Sequence, residues 1–161
     1  MGSEGEGRDE VVYVTADGLA HVCDVTADGL IPRDGWPQPL ALQDEADPDH
    51  PANHLEQEAW ASGAVSSDAR HTVMGAAAFG DLDDDGLYEI VVASMNGQIS
   101  VWNHDGTAVD GWPLMLPMDT IPYTEPGFEL DYGTFAAPVL EDIDLDGSLE
   151  VIVSAMDQHM H

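Results

Sequence analysis

Asp81-Leu82-Asp83-Asp84-Asp85-Gly86-Leu87-Tyr88-Glu89 sets the reading of this chain. Acidic side chains fall at positions 1, 3, 5 and 9 of the stretch, with a glycine at 6. Hard divalent cations such as calcium take six to eight oxygens, from carboxylates and backbone carbonyls, and a loop with oxygens on alternate residues can wrap one. The glycine permits a sharp turn that brings the next carbonyl, that of Leu87, inward. The stretch recurs position for position as Asp142-Ile143-Asp144-Leu145-Asp146-Gly147-Ser148-Leu149-Glu150. An EF-hand would need a glutamate at position 12 and a helix on each side. Here position 12 is Val92 and Val153, and the flanks are β-rich.

The repeat extends beyond the loops. After Glu10, Glu89 and Glu150 come three β-rich runs, Val11 to Val14, Ile90 to Ala93 and Val151 to Ser154. Asp17-Gly18 and Asn96-Gly97 follow as hairpin turns, Asp157-Gln158 standing in their place in the third copy. Alternating strands come next, Leu19 to Cys23 and Gln98 to Trp102. Asp105-Gly106 turns the chain again, and Gly35-Trp36-Pro37 and Gly111-Trp112-Pro113 close the units. Apolar strands are expected before the loops, over Met74 to Gly80 and Phe135 to Leu140. The unit therefore reads strand, acidic loop, strand, tight turn, strand, turn, strand: a four-stranded antiparallel meander in an all-β chain.

The boundaries follow. Residues 1–42 form a unit without its first strand, 43–70 an acidic insertion, 71–118 a complete unit, 119–132 a long connection, and 133–161 a truncated unit. Glu4, Glu6 and Glu10 form a degenerate third loop, with Gly2 in the leading position. The ragged ends predict a slice of a longer array. Trp36, Trp112 and Trp102 are expected in the packing between strands. Trp60, Tyr123, Phe128 and Tyr132 do not repeat and lie on long connections, where binding residues concentrate. They are the candidates for contact with a protein or glycan partner.

Composition narrows the function. Among 161 residues, 32 acids face three arginines (Arg8, Arg33 and Arg70) and no lysine, for a formal charge of −29. Such a surface repels phosphate backbones and anionic membranes, which excludes nucleic acid and membrane partners, and attracts cations. No apolar run is long enough to span a bilayer. Cys23 is alone, so there is no internal disulfide, and its alternating strand predicts a buried thiol. His159 and His161 share a strand face but have no third ligand in sequence. His50, His54 and His71 are expected as solvated loop residues. No serine or cysteine nucleophile pairs with a histidine in a recognisable motif, and without lysine there is no phosphate-binding loop.

Phe79-Gly80 before the first loop, Phe135-Ala136-Ala137-Pro138 before the second, and the Asp-x-Asp-x-Asp-Gly-x-x-Glu loops themselves resemble FG-GAP/VCBS-type repeats. These are the calcium-loop blades of β-propellers, similar to those of integrin α-subunit heads and secreted bacterial proteins. The resemblance implies a fragment of a β-propeller with a calcium loop between the first two strands of each four-stranded blade. It implies Ca2+ held by Asp81, Asp83, Asp85, the Leu87 carbonyl and Glu89, and by Asp142, Asp144, Asp146, the Ser148 carbonyl and Glu150. Asp84, at an even position, is expected to face solvent. The resemblance further implies a non-catalytic module for adhesion or for protein or glycan recognition, at an extracellular, cell-surface or periplasmic location. Further blades of a parent chain, or other copies, would close the propeller. The propeller scaffold of a secreted polysaccharide lyase is the alternative, and a structural spacer a third reading. In all of them the ion mainly fixes the loop.

Overall fold

The computed structural model describes residues 9–41, 62, 70–116, 133–156, 160 and 161. All regular structure among them is antiparallel β, with no helix. Ten strands form three sheets. Sheet one holds β1 (Glu10–Val14), β2 (Leu19–Thr26), β3 (Gly29–Pro32) and β4 (Gln38–Pro39). Sheet two holds β5 (Ala78–Gly80), β6 (Glu89–Ala93), β7 (Gln98–Trp102) and β8 (Leu114–Met115), in meander order. Sheet three pairs β9 (Val139–Glu141) with β10 (Glu150–Ile152).

The repeat read from sequence is a repeat of hydrogen bonds. Gly18 N–H donates to Thr15 O at 2.9 Å, and Gly97 N–H to Ser94 O at 3.0 Å. Leu40 N–H donates to Gly18 O and Leu116 N–H to Gly97 O, each at 2.9 Å. Trp36 N–H reaches Arg33 O, and Trp112 N–H reaches Val109 O. Sheet one departs in one respect. Its β2 runs on to Thr26 and turns through Asp28 into a distinct strand, β3, so β3 and β4 both lie along β2. Sheet two has only the Trp102–Ala108 bridge at that place.

The sheets stack face to face. Period-2 alternation sends Val12, Val14, Ala20 and Val22 of sheet one to a single face, joined by Trp36. That face packs on Ile90, Val92 and Trp102 of sheet two. The opposite face of sheet two, with Val91, Ala93, Ile99 and Val101, packs on Leu140 and Val151 of sheet three and on Val153 just beyond β10. Strand β6 is therefore covered on both sides, and Glu89 to Ala93 are all buried. That explains its unbroken apolar run, where a strand with one wet face would alternate. Each branched residue buried there contributes about 1.5–3 kcal/mol as an upper figure. Trp36 and Trp112 repeat their roles, each packing toward the following sheet. Trp36 also donates from Nε1 to His104 O at 3.1 Å and meets Trp102 edge-on, ring centres 5.9 Å apart.

Two expectations are corrected. The strands before the acidic loops are only three residues each, Ala78–Gly80 and Val139–Glu141, because their partners β6 and β10 offer a short register before the loop diverges. Phe79 and Phe135 are about half exposed. His71 is buried, at 7% exposure, where a solvated residue was expected. Its N–H donates to Ala41 O, its carbonyl lies against Gly18, and the next carbonyl, of Thr72, accepts from Met95 N–H, so residues 70–72 sit between the hairpin turns of sheets one and two. The turn expected at Asp157-Gln158 lies outside the described residues. Cys23 is buried, as its strand pattern predicts.

Sheets one and two meet at a glycine contact. A Cβ on Gly35 would stand 1.9 Å from Asp105 O, and Gly35 holds φ at +87°. Gly111, its counterpart, has φ +88° and open space around it. Gly111→Ala should therefore lose only the left-handed conformational cost, about 1–2 kcal/mol. Gly35→Ala, which must also push the facing backbones away from each other, should lose at least about twice that. Urea denaturation of these variants checks the order, and equal losses would contradict the close contact.

Candidate metal centre

Both acidic loops leave one strand and enter the next of the same sheet, joining β5 to β6 and β9 to β10. Their internal bonding is the same. Position 1 accepts two backbone N–H groups: Asp85 N and Gly86 N reach Asp81 Oδ1 and Oδ2 at 3.1 and 3.0 Å. Asp146 N and Gly147 N reach Asp142 at the same distances. Position 3 accepts from position 5, Asp85 N to Asp83 Oδ1 at 3.2 Å and Asp146 N to Asp144 Oδ1 at 3.1 Å. Position 5 accepts from position 7, Leu87 N to Asp85 and Ser148 N to Asp146. Short acidic side chains bonding their own backbone make such turns. The folding of each loop draws three carboxylates together: one oxygen each from Asp81, Asp83 and Asp85 lies within 4.8 Å of the others, as for Asp142, Asp144 and Asp146.

Position 9 closes the loop. Glu89 Oε2 accepts the Leu82 N–H at 2.6 Å, and Glu150 Oε2 accepts the Ile143 N–H at 2.8 Å. These glutamates stand apart from the three-aspartate groups and offer their second oxygen. Glu89 is completely buried, and among the described residues its Oε1 is a buried side-chain oxygen with no hydrogen-bond partner. An ionised carboxylate without a full set of partners is costly inside a protein. Burial pushes the Glu89 carboxyl above its ordinary value, the Leu82 N–H pulls it back, and the negative charges of Asp83, Asp85 and Asp81 push it up further. A cation among these groups would remove the cost. All the donors are hard oxygens, suited to calcium or magnesium rather than to the softer transition metals. The larger, more adaptable calcium shell fits a loop with four carboxylates and backbone carbonyls better than octahedral magnesium.

Position 4 carries a feature that the sequence did not announce. Asp84 and Leu145 both adopt positive φ, 60° and 63°. Aspartate tolerates that region; leucine does not. Asp84 is exposed, as its even position predicts, and Leu145 is 86% exposed.

The remaining candidates divide. Glu10 lies on β1, where its carboxylate and that of Asp24 both accept from Arg33 Nη2, the Asp24 bond at 2.7 Å. The degenerate loop thus has a guanidinium beside its ninth position. Glu4, Glu6, Trp60, Tyr123, Phe128 and Tyr132 lie outside the described residues, as do His50, His54 and His159. A groove of about 470 Å³ lined by Glu10, Arg33, Gly86, Leu87, Tyr88 and His104 runs between sheet one and the Asp81–Glu89 loop. Its walls come from four separated regions of the chain, so no local motif could have signalled it.

Comparison of the chain with protein-family models, with curated proteins and with solved structures finds no match.

The strained position 4 makes a direct forecast. Leu145→Asn keeps the loop's ligands, sheds a leucine that buries almost nothing, and puts a residue tolerant of positive φ in its place. It should stabilise the protein by about 1 kcal/mol. Thermal denaturation checks this, and a loss of stability would contradict the strained geometry.

Proposed function

We propose that the chain is a calcium-stabilised, non-catalytic repeat module whose three sheets are successive blades of an FG-GAP/VCBS-type β-propeller, and that it serves adhesion or recognition of a protein or glycan outside the cytoplasm. The observations that carry the calcium reading are the buried, unpartnered Glu89 Oε1 at the end of the loop and the three clustered aspartates within it. The duplicated hydrogen bonding of the two loops supports one role for both. The meander of sheet two and the face-to-face stacking support blades in series. The charge of −29 suits a calcium-rich or saline setting, where counterions screen self-repulsion. Calcium here is a structural ion: it ties the first strand of each blade to the second and stabilises the folded state by linkage.

The test is calcium titration by calorimetry together with melting curves. The chain should bind two ions, and Asp83→Ala and Asp144→Ala should each remove one. At a hundredfold excess over Kd each site should add about 2.7 kcal/mol of stability. A melting curve that is the same in chelator and in calcium would sink the reading. Glu89→Gln supplies a test of sign. It removes a buried charge, so in chelator it should melt at or above the wild type; in calcium it lacks a charged ligand and should melt below it. The same order in both buffers would contradict a metal role for Glu89.

A further inference from the structure

The two loops are alike in their bonding and unlike in their surroundings. Gly80 precedes the first loop and is the cross-strand partner of Glu89. A Cβ at Gly80 would stand 2.8 Å from Leu140 Cδ1 and 2.8 Å from Leu149 Cδ1. Two leucines of sheet three and its loop therefore seat in a notch at the base of the Asp81–Glu89 loop. Leu149 is position 8 of the other loop, held between Ser148 and Glu150. Leu82, whose N–H holds Glu89, packs in the same apolar cluster as Leu140. Glu89 is sealed from water there.

The Asp142–Glu150 loop has no such cover among the described residues. Its counterpart of Gly80 is Glu141, exposed and paired with Glu150, a like charge at the base of the loop. Its counterpart of Leu82 is Ile143, 63% exposed, and Glu150 itself is half-buried. Electrostatic attraction strengthens where water is excluded. The first loop thus keeps its Glu89 carboxylate in a dry setting, next to the Gly80 notch that Leu149 fills, while Asp83 and Asp85 stay exposed.

We propose that the two loops are coupled cation sites, with Leu140 and Leu149 acting as the cover of the Asp81–Glu89 site, so that filling the Asp142–Glu150 loop tightens calcium binding in the Asp81–Glu89 loop. An ion at Asp142, Asp144 and Asp146 fixes the loop that carries Leu149, which keeps water away from Glu89. The sign is diagnostic, since direct repulsion between two cations would make each site weaken the other. Coupling free energy is reciprocal, so the factor must be the same in both directions. The inference rests on the calcium reading above and specifies the regulation of that site.

The test uses the full chain, with calcium measured by calorimetry. Terbium luminescence sensitised by Tyr88, whose place in the second loop is taken by Leu149, reports the first loop, and its loss in Tyr88→Leu checks that assignment. Asp144→Asn should lower the affinity of the first loop about fivefold or more, and Asp83→Asn should lower that of the second by the same factor. Leu149→Ala should weaken the first loop with all its ligands in place, and Leu149→Met, which refills the notch, should restore it. Circular dichroism in saturating calcium identifies variants that fail to fold, and the Met variant then carries the comparison with wild type. Unchanged affinity at the intact loop of each aspartate variant, or an effect of opposite sign, overturns the coupling while leaving the calcium reading intact. Absence of calcium binding by the wild-type chain overturns both.

Discussion

A buried carboxylate oxygen without a partner is the constraint on which this structure turns. Glu89 ends a loop of aspartates and begins β6, the strand covered on both faces. Its position is set from two sides at once. The apolar run Ile90 to Ala93 draws the strand into the stack, and the Leu82 N–H fixes the carboxylate against the loop. The stack therefore draws a carboxylate out of water, and the loop that it ends clusters three more, whose charges act on it. Such an arrangement is stable when a cation completes it, and that gives the acidic loops their role in the proposed function.

The rest of the stack follows from repetition. The middle unit presents one alternating face to the sheet before it and one to the sheet after it, so its strand β6 has no wet face. The tryptophans of the Gly-Trp-Pro turns fill the gap toward the next sheet, and Gly35 lets two backbones touch where a side chain would hold them apart. Repeat architectures gain stability from neighbour contacts of this kind rather than from any one unit. Leu149 in the notch beside Gly80 is one more such contact, and it reaches the base of the Asp81–Glu89 loop.

Much of the local structure was legible in the sequence. The loops, the Asp17-Gly18 and Asn96-Gly97 hairpins, the alternating strands and the packing tryptophans all depend on residues close together in the chain, so their spacing carries the information. The features that were not legible depend on distant neighbours. His71 is buried because the segment that carries it passes between two sheets, which no local pattern records. The extra strand β3 arises because β2 runs on past Cys23 to Thr26, beyond its hairpin signal. The first strands shrink to three residues because cross-strand register, not apolarity, limits them. In the site, the three aspartates of each loop were legible. The difference between Glu89 and Glu150 was not, since Leu140 and Leu149, which fill the notch at Gly80 across from Glu89, lie far along the chain. The partner-contact candidates Trp60, Tyr123, Phe128 and Tyr132 fall on connections outside the described residues.

The most direct measurement is anomalous diffraction from crystals of the chain grown with calcium. The expected result is an ion in the Asp81–Glu89 loop at about 2.3–2.6 Å from oxygens of Asp81, Asp83, Asp85 and Glu89, with a second in the Asp142–Glu150 loop. A calcium-grown crystal with no anomalous peak in either loop, and with Glu89 Oε1 bonded to water or protein instead, would contradict the account.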